Sequence, residues 1–150
     1  MKARMIMLIA AAAAVTLASV AAAGPDGGKQ RVAIASKLYP ERTFVLTPIT
    51  SGALKRDSGT VEAIGASVDA GVFRFKGKRG TLTIRVLQDE WVNCGDQVSG
   101  GVIPAVNIGP WKVVRGTGQY AGVTGGGKSA QAGLGKNFWY ARQKGILTSP

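Results

Sequence analysis

The sequence predicts an all-β domain: a single small antiparallel barrel of about eight short strands, following a cleavable export signal. Three observations predict it. All 22 glycines fall after residue 23. A glycine inside a helix costs about 1 kcal/mol relative to alanine, so this density disfavours long helices and suits turns and bulges. Second, Val72–Lys76 and Thr81–Val86 alternate apolar and polar residues around the compact turn Gly77-Lys78-Arg79-Gly80. This two-residue period is that of a half-buried hairpin. Third, short β-branched and aromatic runs recur between Gly and Pro breaks at a spacing that suits a sandwich or a closed barrel.

Each element follows in order along the chain. Lys2 and Arg4 precede an uncharged stretch, Met5–Ala23, which ends in Ala21-Ala22-Ala23 before Gly24. This is the three-part pattern of a signal peptide over residues 1–23. Much of the stretch is alanine, with Thr16 and Ser19 near its end, so its transfer energy is weak for a permanent span. No cysteine follows it to take a lipid, and no second apolar run reaches membrane length. The expectation is a secreted or periplasmic protein with no membrane span after cleavage. Cleavage leaves 127 residues and lowers the formal net charge from +11 to +9, since only Lys2 and Arg4 are lost. Residues 24–30 read as a flexible leader and 31–150 as one domain.

Within that domain, Arg31–Leu38 and Arg42–Thr47 read as strands around the Tyr39-Pro40 break. Pro48–Ser58 reads as a loop carrying Lys55-Arg56-Asp57. Thr60–Val68 reads as a strand, Asp69-Ala70-Gly71 as a turn, and the hairpin follows. Asp89–Pro110 is less regular and holds one strand near Val98–Val106. Trp111–Arg115 is a strand, and Gly116–Gly127 a glycine-rich connection. Ser129–Gly135, Asn137–Arg142 and Gly145–Thr148 close the chain. There is no tandem repeat.

Composition excludes much chemistry. The chain has no histidine and one cysteine, Cys94. Histidine-dependent triads, histidine general acid–base catalysis and most zinc sites are therefore excluded. A lone cysteine forms no internal disulfide. Nothing in the sequence calls for a cofactor. Gly122–Ser129 (GVTGGGKS) matches the phosphate-binding P-loop pattern literally, but Gly133 and Gly135 prevent the helix that must follow it. Gly116, Gly118 and Gly122 have the wrong spacing for a dinucleotide turn and lack a βαβ setting.

Two residue sets remain as candidate sites. Phe73, Phe75, Trp91, Trp111, Tyr120 and Tyr140 are the aromatics assigned to an interior cavity for a small apolar or aromatic ligand. Core packing competes with that role. Phe138, Trp139 and Tyr140 are consecutive, so they cannot all face one way. Trp139 is expected to be exposed or packed under a loop. Arg74, Lys76, Lys78, Arg79 and Arg85 cluster on one hairpin as a surface for a polyanion or envelope component. Asp69, Asp89, Glu90 and Asp96 fall in or near turns, where carboxylates commonly serve the turn itself.

The order Val72-Phe-Arg-Phe-Lys-Gly77, Gly80-Thr-Leu-Thr-Ile-Arg85 and Gly116-Thr-Gly-Gln-Tyr-Ala-Gly122 with Gly125 resembles the dirigent and allene-oxide-cyclase-like barrels over about Gly59–Thr148. The resemblance implies an eight-stranded calycin-like barrel with an interior cavity, often in homo-oligomers. Dirigent proteins guide coupling or cyclisation of aromatic intermediates, and the cyclases act on fatty-acid epoxides. Their catalytic residues have no assignable positions in this chain, so only the fold carries over. The preferred expectation is a non-catalytic barrel with a small apolar or aromatic ligand. The alternatives are an isomerase- or cyclase-like enzyme, which needs an interior carboxylate beside Arg or Tyr, and polyanion binding through the basic hairpin.

Overall fold

The computed structural model describes residues 28–39, 41–67, 70–87, 90–93, 104–134 and 139–150. The export signal, the leader up to residue 27, Asp69, Asp89, Cys94, Asp96 and Phe138 lie outside the described residues. The described residues form nine strands: β1 (Lys29–Tyr39), β2 (Thr43–Pro48), β3 (Asp57–Ser67), β4 (Ala70–Gly77), β5 (Gly80–Leu87), β6 (Glu90–Asn93), β7 (Pro104–Gly116), β8 (Thr124–Leu134) and β9 (Trp139–Thr148). A single 3₁₀ turn, Gly118–Tyr120, joins β7 to β8.

Every pairing is antiparallel, in the order β5-β4-β3-β2-β1-β9-β8-β7, and β5 pairs with β7 to close the ring. The result is an eight-stranded barrel. The short β6 lies on the first part of β7, through Glu90–Ile108 to Asn93–Ala105. Closure leaves the eight strands of the ring without an unpaired edge. The eight strands that close the ring all lie between Lys29 and Thr148.

The alternating hairpin is present as read, with Phe73 opposite Ile84 and Phe75 opposite Leu82. Three details differ from the sequence reading. Ala70 and Gly71 belong to β4 and not to a turn, because β3 and β4 pair as far as Ser67–Ala70. The glycine-rich segment becomes strand from Thr124, not Ser129; its lack of side chains lets β7 and β9 approach closely. Most importantly, β7 is one strand running through Gly109-Pro110. Its neighbour on one side changes there, from β6 at Ile108 to β5 at Trp111. Proline, with no N–H to give, sits where neither neighbour forms a ladder pair. The P-loop-like segment is spent in the sheet, since Gly125–Ser129 pair with β9 and no helix follows.

Side chains of alternate residues fill the barrel. Val32, Ile34, Phe44, Leu46, Val61, Phe75, Leu82, Ile84, Trp111 and Leu147 form one buried cluster. The Phe44 and Phe75 rings meet edge to face at 5.1 Å and 65°, a favoured aromatic geometry. Leu54, Tyr120 and Val123 join this cluster from the loops at one end. We call that end closed.

Candidate functional site

The buried polar residues fall into two groups with opposite hydrogen-bonding states. At the closed end they are fully used. Gln30 donates from Nε2 to the Thr50 and Leu54 carbonyls at 2.9 and 3.0 Å, and its Oε1 accepts from Leu54 N–H at 2.9 Å. The loop between β2 and β3 is tied to the barrel in this way. Asp57, 4 % exposed, accepts four hydrogen bonds. Oδ1 takes the Ser58 and Lys78 N–H groups at 2.9 and 3.0 Å. Oδ2 takes Arg79 N–H at 3.2 Å and the Tyr120 hydroxyl at 3.1 Å. Gly77 is required beside it, because a Cβ there would overlap the Asp57 carboxylate.

Asp57 therefore meets the letter of the enzyme alternative, an interior carboxylate beside a tyrosine. Its lone pairs, however, hold the hairpin turn and the 3₁₀ turn together. Burial pushes the Tyr120 phenol well above its ordinary value of 10.0, and the Asp57 charge adds to the rise. The phenol is held protonated near neutral pH and the carboxylate lone pairs are engaged by four donors, so the pair serves as a structural latch. A consequence follows at high pH. The unfolded chain releases the Tyr120 proton near pH 10, while the folded chain keeps it, so stability falls as pH rises past that value. Tyr120→Phe should lose less stability than the wild type between about pH 9 and 11 in denaturant titrations. Equal pH slopes for the two proteins would contradict this.

The second polar group lies further along β1, β7, β8 and β9. Register places Ser36, Ala141, Gln131 and Asn107 in one row across these strands. Ile34, Gln143, Ser129 and Gly109 form the next row. Ser36, Asn107, Ser129, Gln131 and Gln143 are all buried. Alternation explains why they face inward, on the same side as Val32, Ile34 and Leu147. Gln143 Nε2 donates to Ser129 Oγ at 3.2 Å, and Gln131 Oε1 accepts from Trp139 Nε1 at 3.2 Å. The other ends of these two amides, Gln131 Nε2 and Gln143 Oε1, have no hydrogen-bond partner among the described residues, although the residues are only 2 % and 1 % exposed. A buried donor or acceptor left unmade costs about 1–3 kcal/mol. The Thr83 hydroxyl is also without a partner, but it lies on the outward side of β5, between the inward Leu82 and Ile84.

The five polar side chains of this patch carry no charge. They offer donors and acceptors beside an apolar wall, and no general acid or base. Among the described residues, no three His, Cys, Asp or Glu side chains lie close enough together to hold a metal ion.

The assigned aromatics separate. Phe73, Phe75, Trp111 and Tyr120 are buried in the barrel, the last at the closed end. Trp111 Nε1 donates to the Lys144 carbonyl at 3.2 Å. Tyr140 stands on the outer face, 43 % exposed, with the Lys37 ammonium 5.9 Å from its ring centre. It lines no interior. Trp139 turns inward in its place and packs on the core. Its ring covers Gly133, where a Cβ would overlap it. The Trp91 and Glu90 side chains lie outside the described residues.

The basic hairpin separates as well. Arg74 and Lys76 both bind Glu62, at 2.8 and 3.0 Å. The Lys76 hydrogen bond, with Arg74 adding to it, holds the Glu62 carboxyl below its usual value. Lys78 and Arg79 sit at the turn, where their N–H groups serve Asp57 and Arg79 Nε reaches the Arg56 carbonyl at 3.2 Å. Arg85 faces outward opposite Lys112 of β7. The polar interior patch had one sequence signal: Ser129, Gln131, Gln143 and Asn107 sit at alternate positions where a barrel strand would otherwise bury apolar residues.

No known protein family, curated protein or solved structure matches the chain.

Proposed function

We propose that this barrel is a non-catalytic binding protein that holds a small, uncharged, largely apolar or aromatic ligand in its interior. The ligand carries one hydrogen-bond acceptor and one donor, as a phenol, an amide or a hydroxyl-bearing ring system does. One observation supports this reading: Gln131 Nε2 and Gln143 Oε1 are a buried donor and a buried acceptor, both without a hydrogen-bond partner among the described residues. The contrast with Asp57 and Gln30 supports it. Where polar groups serve the fold they are saturated, and unsatisfied buried groups call for a specific reason. Val32, Ile34, Trp111 and Trp139 supply apolar surface on and beside the same strands. The kinship with dirigent-like barrels belongs to this proposal; the closed eight-stranded ring supports it.

The test is a titration of the chain from Gly24 to Pro150 with a panel of phenols, aromatic amides and apolar aromatics without polar groups. Trp111 and Trp139 fluorescence and the melting temperature are the readouts. The expected result is binding of the first two classes, with Gln143→Leu losing about tenfold in affinity for one lost hydrogen bond. Binding that ignores the polar group, or no binding from any class, would overturn the proposal.

A further inference from the structure

The outer surface of the barrel carries a second feature, independent of the interior. The sequence has no Asp or Glu after Asp96, and none between Lys29 and Tyr39 or between Gly80 and Leu87. The sheet order places these segments side by side as β1-β9-β8-β7-β5. Arg31, Arg85, Lys112, Lys128, Arg142 and Lys144 all project outward from them and are exposed. Among the described residues none of the six is in a salt bridge, whereas Lys37, Arg74 and Lys76 each are.

Two pairs are directly opposed across strands: Lys128 with Lys144, and Arg85 with Lys112. Like charges in that position are destabilising. Arg142 and Lys144 are two residues apart on one strand and so share its face. A concentration of cations on one side of a barrel, uncompensated locally, marks that side for an anionic partner.

The spaces between the cations are apolar. Ile146 lies between Arg31 and Gly126, next to Lys112, and is 46 % exposed. Ile108, 45 % exposed, lies in the row of Arg142 through Ala130. Beside them is a groove of about 540 Å³ whose lining includes the outward Ala35, Val45, Ala130 and Ala132, with Arg142 and the exposed Tyr140 at its side, and which also touches Lys37 and the strand positions of Ser36 and Gln131. A hydrated polyanion gains nothing from isoleucines and an alanine-floored groove among its cations. A phospholipid surface gains from both, since phosphates meet Lys and Arg while apolar side chains enter the headgroup–acyl boundary.

We propose that the β9-β8-β7 face docks on a bilayer containing anionic phospholipid, with phosphates held by Arg142, Lys144, Lys128 and Lys112 and apolar contact made by Ile108, Ile146 and the groove. The basic side of this protein is therefore opposite the Arg74–Lys76 surface. In the ring, β8 and β9 lie across from β3 and β4.

The experiment is sedimentation of the Gly24–Pro150 chain with vesicles of phosphatidylcholine alone or mixed with phosphatidylglycerol, over a range of NaCl concentrations. The wild type should bind the mixed vesicles only, and less as salt rises. Lys128→Gln with Lys144→Gln should weaken that binding by about 10- to 30-fold. The same double variant should melt about 1–4 °C higher, because the opposed charges are gone; this separates lost docking from lost folding. Arg74→Gln with Lys76→Gln removes the same formal charge from the opposite side and should change binding less than about threefold. Equal losses from the two pairs would assign the binding to net charge and overturn the proposal. Binding to heparin or a DNA duplex without vesicle binding would overturn it in favour of a soluble polyanion.

Discussion

Replacing Asp57 with alanine should lower the unfolding free energy by about 2–4 kcal/mol, because four donors, the buried Tyr120 hydroxyl and three part-buried N–H groups, lose their common acceptor at once. The donors come from three separate places: Ser58 at the start of β3, Lys78 and Arg79 in the β4–β5 turn, and Tyr120 in the 3₁₀ turn after β7. Asp57 meets all three at once, while Arg79 Nε to the Arg56 carbonyl and Gln119 N–H to the Arg79 carbonyl join them in pairs. Asp57→Asn retains one carbonyl oxygen and should cost about half as much, since two of the donors would face an NH₂ group. Tyr120→Phe, which removes one bond and leaves one lone pair of Asp57 free, should cost about 1 kcal/mol. Urea titrations followed by tryptophan fluorescence measure all three. A loss under about 1 kcal/mol for Asp57→Ala would mean that water reaches these donors and that the end is not closed.

The second large effect is a change of sign at position 143. Gln143→Leu should raise the stability of the ligand-free barrel by about 1–2 kcal/mol, since it removes a buried unsatisfied oxygen and adds apolar surface beside Ile34. It also gives up the bond to Ser129, and that loss is smaller than the gain. Gln143→Glu has almost the same shape and should do the opposite, costing about 3 kcal/mol at pH 7 because a carboxylate is buried among neutral groups. Burial raises the pKa of such a group, so the cost is present above that raised value and shrinks as pH falls through it. The natural glutamine is then the less stable but functional choice, as unsatisfied polar groups at binding sites often are. Equal stabilities for the wild type and Gln143→Leu would show that the amide is satisfied in the free protein and would weaken the binding proposal.

Parts of this were legible in the chain. The Val72–Val86 hairpin follows from strict alternation around a four-residue turn, a local signal that needs no tertiary knowledge. The continuous β7 was hidden by Pro110, which ordinarily argues against a strand interior. Its tolerance depends on a change of partner strand that only the closed ring creates. Asp57 read as one charge in the loop triplet Lys55-Arg56-Asp57. Nothing local distinguishes it from its neighbours, because its four donors lie at residues 58, 78, 79 and 120.

Candidate sites divide in the same way. Phe73 and Phe75 face inward because alternation requires it, and their burial was readable. Tyr140 and Trp139 exchange the expected roles, since the direction of β9 is set by its register with β1 and β8 and not by its own aromatic run. The cations show the limit most clearly. Arg74, Lys76, Lys78, Arg79 and Arg85 are neighbours in sequence, and Glu62 of the adjacent strand pairs with the first two.

By itself the sequence determined the strand class, the short elements, the lack of histidine chemistry and the excess of positive charge. Those properties depend on residue type and on spacing within a few positions. The tertiary structure alone decided which charges are unpaired, which carboxylate is buried and which amides face one another. Residues 112, 128, 142 and 144 form one surface on β7, β8 and β9, and residues 31 and 85 flank it on either side because β1 pairs with β9 and β5 with β7, an order different from that in the chain. Ser36, Asn107, Ser129, Gln131 and Gln143 become one patch for the same reason. Cross-strand register sets such neighbours, and register is a property of the closed barrel.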